Sequence, residues 1–319
     1  MIVRLGYVAM SVIVKNASPS KTMTATSFKK IKDREAAIRK LERIAEENLQ
    51  NTLRLLYHNH AHDISVYRFS SKLIPLIGHE MLQDWDPFPF LKEKFKKIGD
   101  YVKLHKMRVS FHPDHFTVLS TPREEVLKNS VLDLQKHLMM LEAMELDERA
   151  KYNIHIGGAY ANKPKSIERF VENFKKLEEN IRRRITLEND DKTYTAKETL
   201  EICEKLKVPM VLDIHHHWVN NEGEKADELW PRIKETWNIQ NIPPKIHVSS
   251  PKSEKDPRGH ADYVNSQFLL EFLRTIANQT EQIDVMIEAK KKDDALFHLI
   301  NDLKEIDGIK MMNQATFEI

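Results

Sequence analysis

The sequence predicts a single-domain (β/α)8 barrel, a TIM barrel, with a metal site at the carboxyl ends of its strands. Three observations carry that expectation: eight short apolar or β-branched runs recur along the 319 residues, amphipathic stretches separate most of them, and imidazoles or carboxylates stand at the ends of six. The runs are Ile2 to Gly6, Ser65 to Ser70, Arg108 to Phe111, Tyr152 to Ile156, Ile185 to Leu187, Pro209 to Ile214, Lys245 to Val248 and Asp284 to Ile287. Helices are expected over Arg34 to Leu56, Leu91 to His105, Pro122 to Met144, Ser166 to Ile181 and Ala196 to Leu206. Thr121-Pro122-Arg123-Glu124 and Thr195-Ala196-Lys197-Glu198 read as capping boxes that start two of them. An open doubly wound sheet shares this alternation, and the position of the polar residues favours the barrel.

Composition narrows the function. Hydrophobic residues make up 41% and charged residues 31%, enough for a large core and against global disorder. No apolar run approaches the roughly 18 residues of a membrane span, and Tyr7 to Val14 is too short, so a cytoplasmic protein with no membrane partner is expected. One cysteine, Cys203, excludes an internal disulfide framework and a cysteine-rich zinc module, so any metal must use His and carboxylate. With only 8 Gly, neither the dinucleotide-binding glycine pattern nor a P-loop is present, and no nucleotide cofactor is expected. Lys+Arg 50 against Asp+Glu 48 leaves +2, so nucleic-acid binding requires a local basic face.

Barrel active sites lie where strands leave the sheet. The third run ends in His112, the fourth carries His155 before Gly157-Gly158, and the fifth leads into Glu188. The sixth gives Asp213 and His215-His216-His217, the seventh His247 and the eighth Glu288. A lone His or Glu near a strand end is usually structural, but six in succession point to one centre. Imidazole with carboxylate and no thiolate suits zinc or manganese, and Glu188 can bridge two ions about 3.5–4 Å apart.

These residues resemble the UV-damage endonucleases, relatives of the endonuclease IV type of abasic-site nuclease. The resemblance is carried by Arg4-Leu5-Gly6-Tyr7, Tyr67-Arg68-Phe69-Ser70-Ser71, His79, Phe111-His112-Pro113-Asp114, Ile154-His155-Ile156-Gly157-Gly158 and Leu187-Glu188-Asn189-Asp190, and by Lys245-Ile246-His247-Val248-Ser249-Ser250, Gly259-His260-Ala261-Asp262-Tyr263 and Ile287-Glu288-Ala289-Lys290. It covers residues 1–299, leaving 300–319 as a tail of unassigned role.

The resemblance implies a monomeric TIM-barrel enzyme that nicks damaged double-stranded DNA 5′ to UV photoproducts and at abasic sites, leaving 3′-hydroxyl and 5′-phosphate ends. It implies three divalent ions, with manganese favoured and zinc, magnesium or cobalt as alternatives. By that pattern His112, His155 and Glu188 hold one ion; Glu188, Asp213, His247 and Glu288 a second; His216 and His260 a third. Glu188 would be the catalytic bridge, with His79 and Lys245 lining the cavity near the scissile phosphate or the third ion. The family probes the helix with Gln and an aromatic; His115 and Phe116 stand there in this chain, an imidazole replacing an amide. Tyr7 is a candidate to join the wedge, and Arg68, Lys192, Lys252 and Arg258, with Lys255 and Lys290, are candidate backbone contacts.

Several tempting features are discounted. His58-Asn59-His60-Ala61-His62 ends an apolar helix before the second strand and is read as structural. Three neighbouring histidines on a strand cannot all face one way, so His215-His216-His217 offers alternate members at most. Arg182-Arg183-Arg184 is read as a solvated face, and Cys203 as helix packing. A sugar isomerase or epimerase remains open on fold grounds, as does a non-catalytic lesion-binding protein.

Overall fold

Runs rich in Val, Ile and Leu can be buried on both faces only where helices cover the sheet, and here they pair in chain order until the last closes on the first. The computed structural model describes residues 1–319. Its barrel strands are β1 (Ile2–Val8), β2 (Val66–Arg68), β3 (Arg108–Phe111), β4 (Lys151–His155), β5 (Ile185–Glu188), β6 (Met210–Asp213), β7 (Lys245–Val248) and β8 (Gln282–Ile287). Every neighbouring pair is parallel, and β8 returns to β1 from Ile2↔Gln282 to Tyr7↔Ile287. The (β/α)8 expectation is met, and the register sets the chemistry level: His155 opposes Glu188, and Asp213 opposes His247.

One cluster of 68 buried residues runs from Val3 to Phe317, which makes the chain a single domain. Residue 299 lies inside the helix Lys292–Lys304, and the residues beyond it belong to the fold. Thr316–Glu318 lies antiparallel to β1 at Ile2 to Arg4, and Phe317 is fully buried.

Helix ends follow local chemistry where that chemistry forms. The helix Ala196–Leu206 has the expected bounds because the Thr195 and Glu198 side chains and backbones satisfy one another. The other box does not form. Thr121 is buried, its Oγ1 accepts the Arg123 N–H at 3.2 Å, and the helix starts later, at Glu124. The helix Arg34–Ala61 runs five residues past Leu56, and Phe88–Leu104 starts before Leu91 because a proline in the first turn forfeits no helical hydrogen bond. The expected Ser166 to Ile181 helix is two, Lys163–Lys176 and Glu179–Arg182, separated by extended Leu177. An antiparallel hairpin, Pro251–Ser253 with Asp256–His260, stands outside the barrel after β7.

Candidate metal centre

Residues two apart on a strand share a face, so each strand stacks its inward side chains in layers. Glu188, the last residue of β5 and 1% exposed, ends at the centre of the upper layer. Its Oε2 lies 3.2 Å from His112 Nε2 and 3.8 Å from His155 Nε2. Its Oε1 lies 3.0 Å from His247 Nδ1 and 3.6 Å from His216 Nδ1. Three ligand-like groups therefore share one carboxylate: His112, His155 and Glu188; Glu188, Asp213 and His216; Glu188, His247 and Glu288.

The first group holds the same three residues as one expected set, the third holds three of an expected four, and the second is composed differently. Asp213 stands with His216 and Glu188, whereas the resemblance places it with His247 and Glu288. The reason is local: β6 ends at Asp213 and the chain enters the helix Ile214–Val219, whose His216 N–H donates to Asp213 Oδ1 at 2.7 Å. The His215-His216-His217 triplet is thus helical, and helical rotation, not strand alternation, separates its side chains. His260 belongs to none of the three groups and borders them, its ring centre 6.1 Å from that of His216.

The donor set fits divalent ions. Nδ1 of His112, His155, His216 and His260 each faces a backbone carbonyl, of Pro113, Glu188, Asn189 and Glu288, at 2.9, 3.3, 3.0 and 2.7 Å. A carbonyl only accepts, so Nδ1 carries a proton in each, and once the ring is neutral Nε2 is the free ligand atom, the usual outer support of a metal-binding imidazole. Asp213 Oδ2 is buried with no hydrogen-bond partner, a costly state that a cation relieves.

The ion-free electrostatics agree. Burial opposes ionisation of Glu188, yet the imidazoles of His247 and His155 hold its carboxyl well below the usual range. Burial likewise opposes charge on His247, but Glu188 and Glu288 lift it to about 9; Asp213 and Glu188 do the same for His216. Protons and the Arg68 guanidinium, which contacts Glu288 Oε1, thus supply positive charge among three converging carboxylates.

Three supporting residues carry no assigned role in the sequence pattern. Asn153, two positions before His155, donates from Nδ2 to Glu188 Oε2, and Thr186 Oγ1 donates to Asn153 Oδ1 at 2.8 Å. Asn189 clamps β5 to β6 by accepting the Asp213 N–H at 2.9 Å and donating to its carbonyl at 3.0 Å. The signal for Asn153 and Thr186 is period two: each sits one layer below a ligand-like residue on its own strand. Gly157 turns the chain immediately beyond His155 at φ +106°, where an added Cβ would lie 2.7 Å from Ser120 Oγ.

The UV-endonuclease UvdE family profile matches residues 3–318. The chain belongs to the UV-endonuclease UvdE family. A UV DNA damage endonuclease of Halalkalibacterium halodurans is 46% identical over 319 residues, covering 100% of this chain and 99% of its own. The crystal structure of SacUVDE superposes with a TM-score of 0.84 at 30% identity, over 95% of this chain and 98% of that one. Endonuclease IV from Thermus thermophilus, at TM-score 0.54 and 12% identity over 90% and 93% of the two chains, shares the fold. The protein is a DNA-repair endonuclease of the UV-damage type.

Around this centre the endonuclease places the remaining expected residues unevenly. His115 and Phe116 project from the loop after β3, ring centres 4.3 Å apart, with Phe116 62% exposed. Lys192, Lys252, Lys255, Arg258 and Lys290 are exposed, although Arg258 is paired with Asp191 at 2.6 Å and Lys252 with Asp256 at 3.2 Å.

Three expected residues fall outside the three groups of ligand atoms. Tyr7, a candidate for the wedge, is fully buried, its hydroxyl donating to Asn59 Oδ1 at 2.7 Å and its ring edge-on to Tyr67, which packs it between barrel and helix. Lys245, one layer beneath His247 and 4% exposed, donates to Ser110 Oγ at 3.3 Å; burial and the nearby Arg108 push its amine well below the usual lysine range. His79 caps the turn Glu80–Leu82, its Nδ1 3.4 Å from the Met81 N–H, and touches none of the cluster.

The discounted features divide. His58 lies 3.2 Å from Asp293 and His62 3.1 Å from Gln314, both outside the centre. Cys203 is buried, and burial raises its thiol. Arg184, expected to be solvated, is buried, because the loop after Leu146 folds over it and takes its hydrogen bonds through the carbonyls of Leu146, Asp147 and Ala150.

Proposed function

We propose that this endonuclease nicks duplex DNA on the 5′ side of UV photoproducts, both cyclobutane pyrimidine dimers and 6-4 photoproducts, and also at abasic sites. It acts as a cytoplasmic monomer on damaged double-stranded DNA, with its machinery within residues 1–299 and the last twenty closing the lower edge of the barrel. The observation that carries this reading is the single buried carboxylate of Glu188 serving three groups of ligand atoms at once.

Three divalent ions, manganese favoured, are assigned to His112, His155, Glu188, Asp213, His216, His247, His260 and Glu288. When bound, such ions supply a nucleophile at neutral pH and neutralise charge on the phosphate oxygens. The chain's own residues do the rest. Asn153 and the carbonyls behind the imidazoles fix the ligand geometry before substrate arrives. Arg68, held beside Glu288, offers a guanidinium to a phosphate entering the cluster. Water adds to phosphorus as the bond to the 3′ oxygen breaks, giving 3′-hydroxyl and 5′-phosphate ends.

Lesion choice rests on deformability, since damaged bases are already poorly stacked and cost less to extrude. Phe116 enters the gap as an apolar wedge with His115 beside it, and Lys192, Lys252 and Arg258 follow the backbone. The test is incision of an end-labelled duplex carrying one thymine dimer, with manganese or chelator, by wild type and Glu188→Ala. One manganese-dependent nick 5′ of the dimer, absent in the variant, is the expected result; no nick with any metal would overturn the reading.

A further inference from the structure

The hairpin Pro251–Ser253/Asp256–His260 forms a sheet of its own and shares no strand pairing with the barrel. Yet it carries His260, which borders the metal centre, and Arg258 and Lys252 at its rim. Something must hold it over the barrel mouth. Its root is fastened by backbone, with Ala261 N–H donating to Ser250 O at 2.9 Å. Arg258 ties it through an exposed ion pair with Asp191, which is worth little in water.

His215 supplies a buried tie. It is fully buried, ligates nothing in the three groups, and uses both ring nitrogens. Nε2 lies 2.8 Å from Pro257 O on the second hairpin strand, and Nδ1 lies 2.5 Å from Ser249 Oγ just beyond β7. Because the Pro257 carbonyl only accepts, Nε2 carries the proton, and Nδ1 accepts from the serine hydroxyl. Trp218, one turn later on the same helix, stacks against the ring at 6.2 Å and 24°. One side chain thus joins the ends of β6 and β7 to the hairpin, and His216 beside it turns into the cluster.

We propose that His215 is a positioning residue, a latch that fixes the 251–260 hairpin so that His260 and Arg258 are set over the metal centre before DNA binds. The inference deepens the reading of the site as an endonuclease centre, and its first test does not need activity. Replacement by Gln keeps an N–H donor at the reach of Nε2; replacement by Asn keeps an amide at the position of Nδ1 but has no N–H that reaches the Pro257 carbonyl.

The experiment is amide hydrogen exchange on the metal-free protein, followed by nicking kinetics with manganese. For His215→Asn, exchange at residues 256–260 rises about tenfold, the equivalent of one hydrogen bond, while the barrel strands keep wild-type protection. KM for damaged duplex rises several-fold more than kcat falls, because the hairpin is loosened, not lost. His215→Gln restores both. Wild-type hairpin exchange in His215→Asn overturns the latch, as does faster exchange spread evenly over the barrel, which is the mark of a packing residue. Should His215→Asn fail to fold, Ser249→Ala decides: it leaves the Pro257 bond but frees the ring to swing, so hairpin exchange rises selectively or the latch is rejected. Loss of nicking in the wild type with the exchange pattern intact would count against the endonuclease reading alone.

Discussion

Asn153 Nδ2 donates to Glu188 Oε2, the carboxylate oxygen that also faces His112 and His155, and Thr186 fixes the amide from behind. The orientation of the central carboxylate is therefore set by a side chain that belongs to none of the three ligand-like groups. Asn153→Ala is expected to lower kcat for nicking about 10- to 100-fold, the usual cost of losing an outer-shell partner. Manganese titration of the same variant checks the cause: weaker binding with an unchanged melting transition.

Metal binding is expected to release protons. His247 and His216 titrate near 9 in the ion-free protein, because neighbouring carboxylates outweigh their burial. Both are mainly protonated at pH 7, and an imidazole must lose its proton to ligate. Apparent manganese affinity therefore rises with pH up to about 9 and falls below it, by up to about tenfold per pH unit for each proton displaced. Calorimetry in two buffers of different ionisation enthalpy counts the protons, and a count of zero would show that neither imidazole is charged beforehand.

Phe116 is 62% exposed, with the His115 ring beside it at 4.3 Å. Phe116→Ala should leave folding stability within about 0.5 kcal/mol of wild type. Its affinity for a dimer-containing duplex should weaken by about 1–3 kcal/mol, the range for one lost base-stacking side chain. Fluorescence anisotropy on damaged and undamaged duplexes separates these, since only the damaged duplex should respond.

At the other end of the barrel Asp284 is fully buried between Arg4, at 2.7 Å, and Arg108, at 2.6 Å. Burial alone would raise its carboxyl, but the two guanidiniums hold it below the usual value. A carboxyl depressed on folding stabilises fully above its unfolded pKa of about 3.9 and loses that contribution as pH falls through the folded value. Asp284→Asn is expected to destabilise by about 3–5 kcal/mol at pH 7, leaving the largely buried Arg108 and the half-buried Arg4 without their shared counter-charge. Urea midpoints from pH 7 to pH 3 should fall for wild type at the acid end and converge on the variant's.

What could be read in the chain was whatever depends on local order. Strand period, strand-end placement and the Thr195 to Glu198 cap use only near neighbours in sequence, so the barrel, the helix Ala196–Leu206 and the convergence of His112, His155, Glu188, Asp213, His216, His247 and Glu288 were all legible. The tertiary structure decided whatever depends on which neighbour arrives from elsewhere. Tyr7 is apolar enough for a wedge, but the helix Arg34–Ala61 covers it and Asn59 takes its hydroxyl. Thr121 has a cap's sequence, but its burial directs the hydroxyl to a tighter turn. Lys245 follows the ligand pattern, yet alternation drops it a layer beneath His247, where low polarity and Arg108 disfavour its charge. Asn153 and His215 look like ordinary polar residues until folding brings Glu188 and Pro257 to them, because a hydrogen bond across 35 or 42 residues leaves no periodic trace in the sequence.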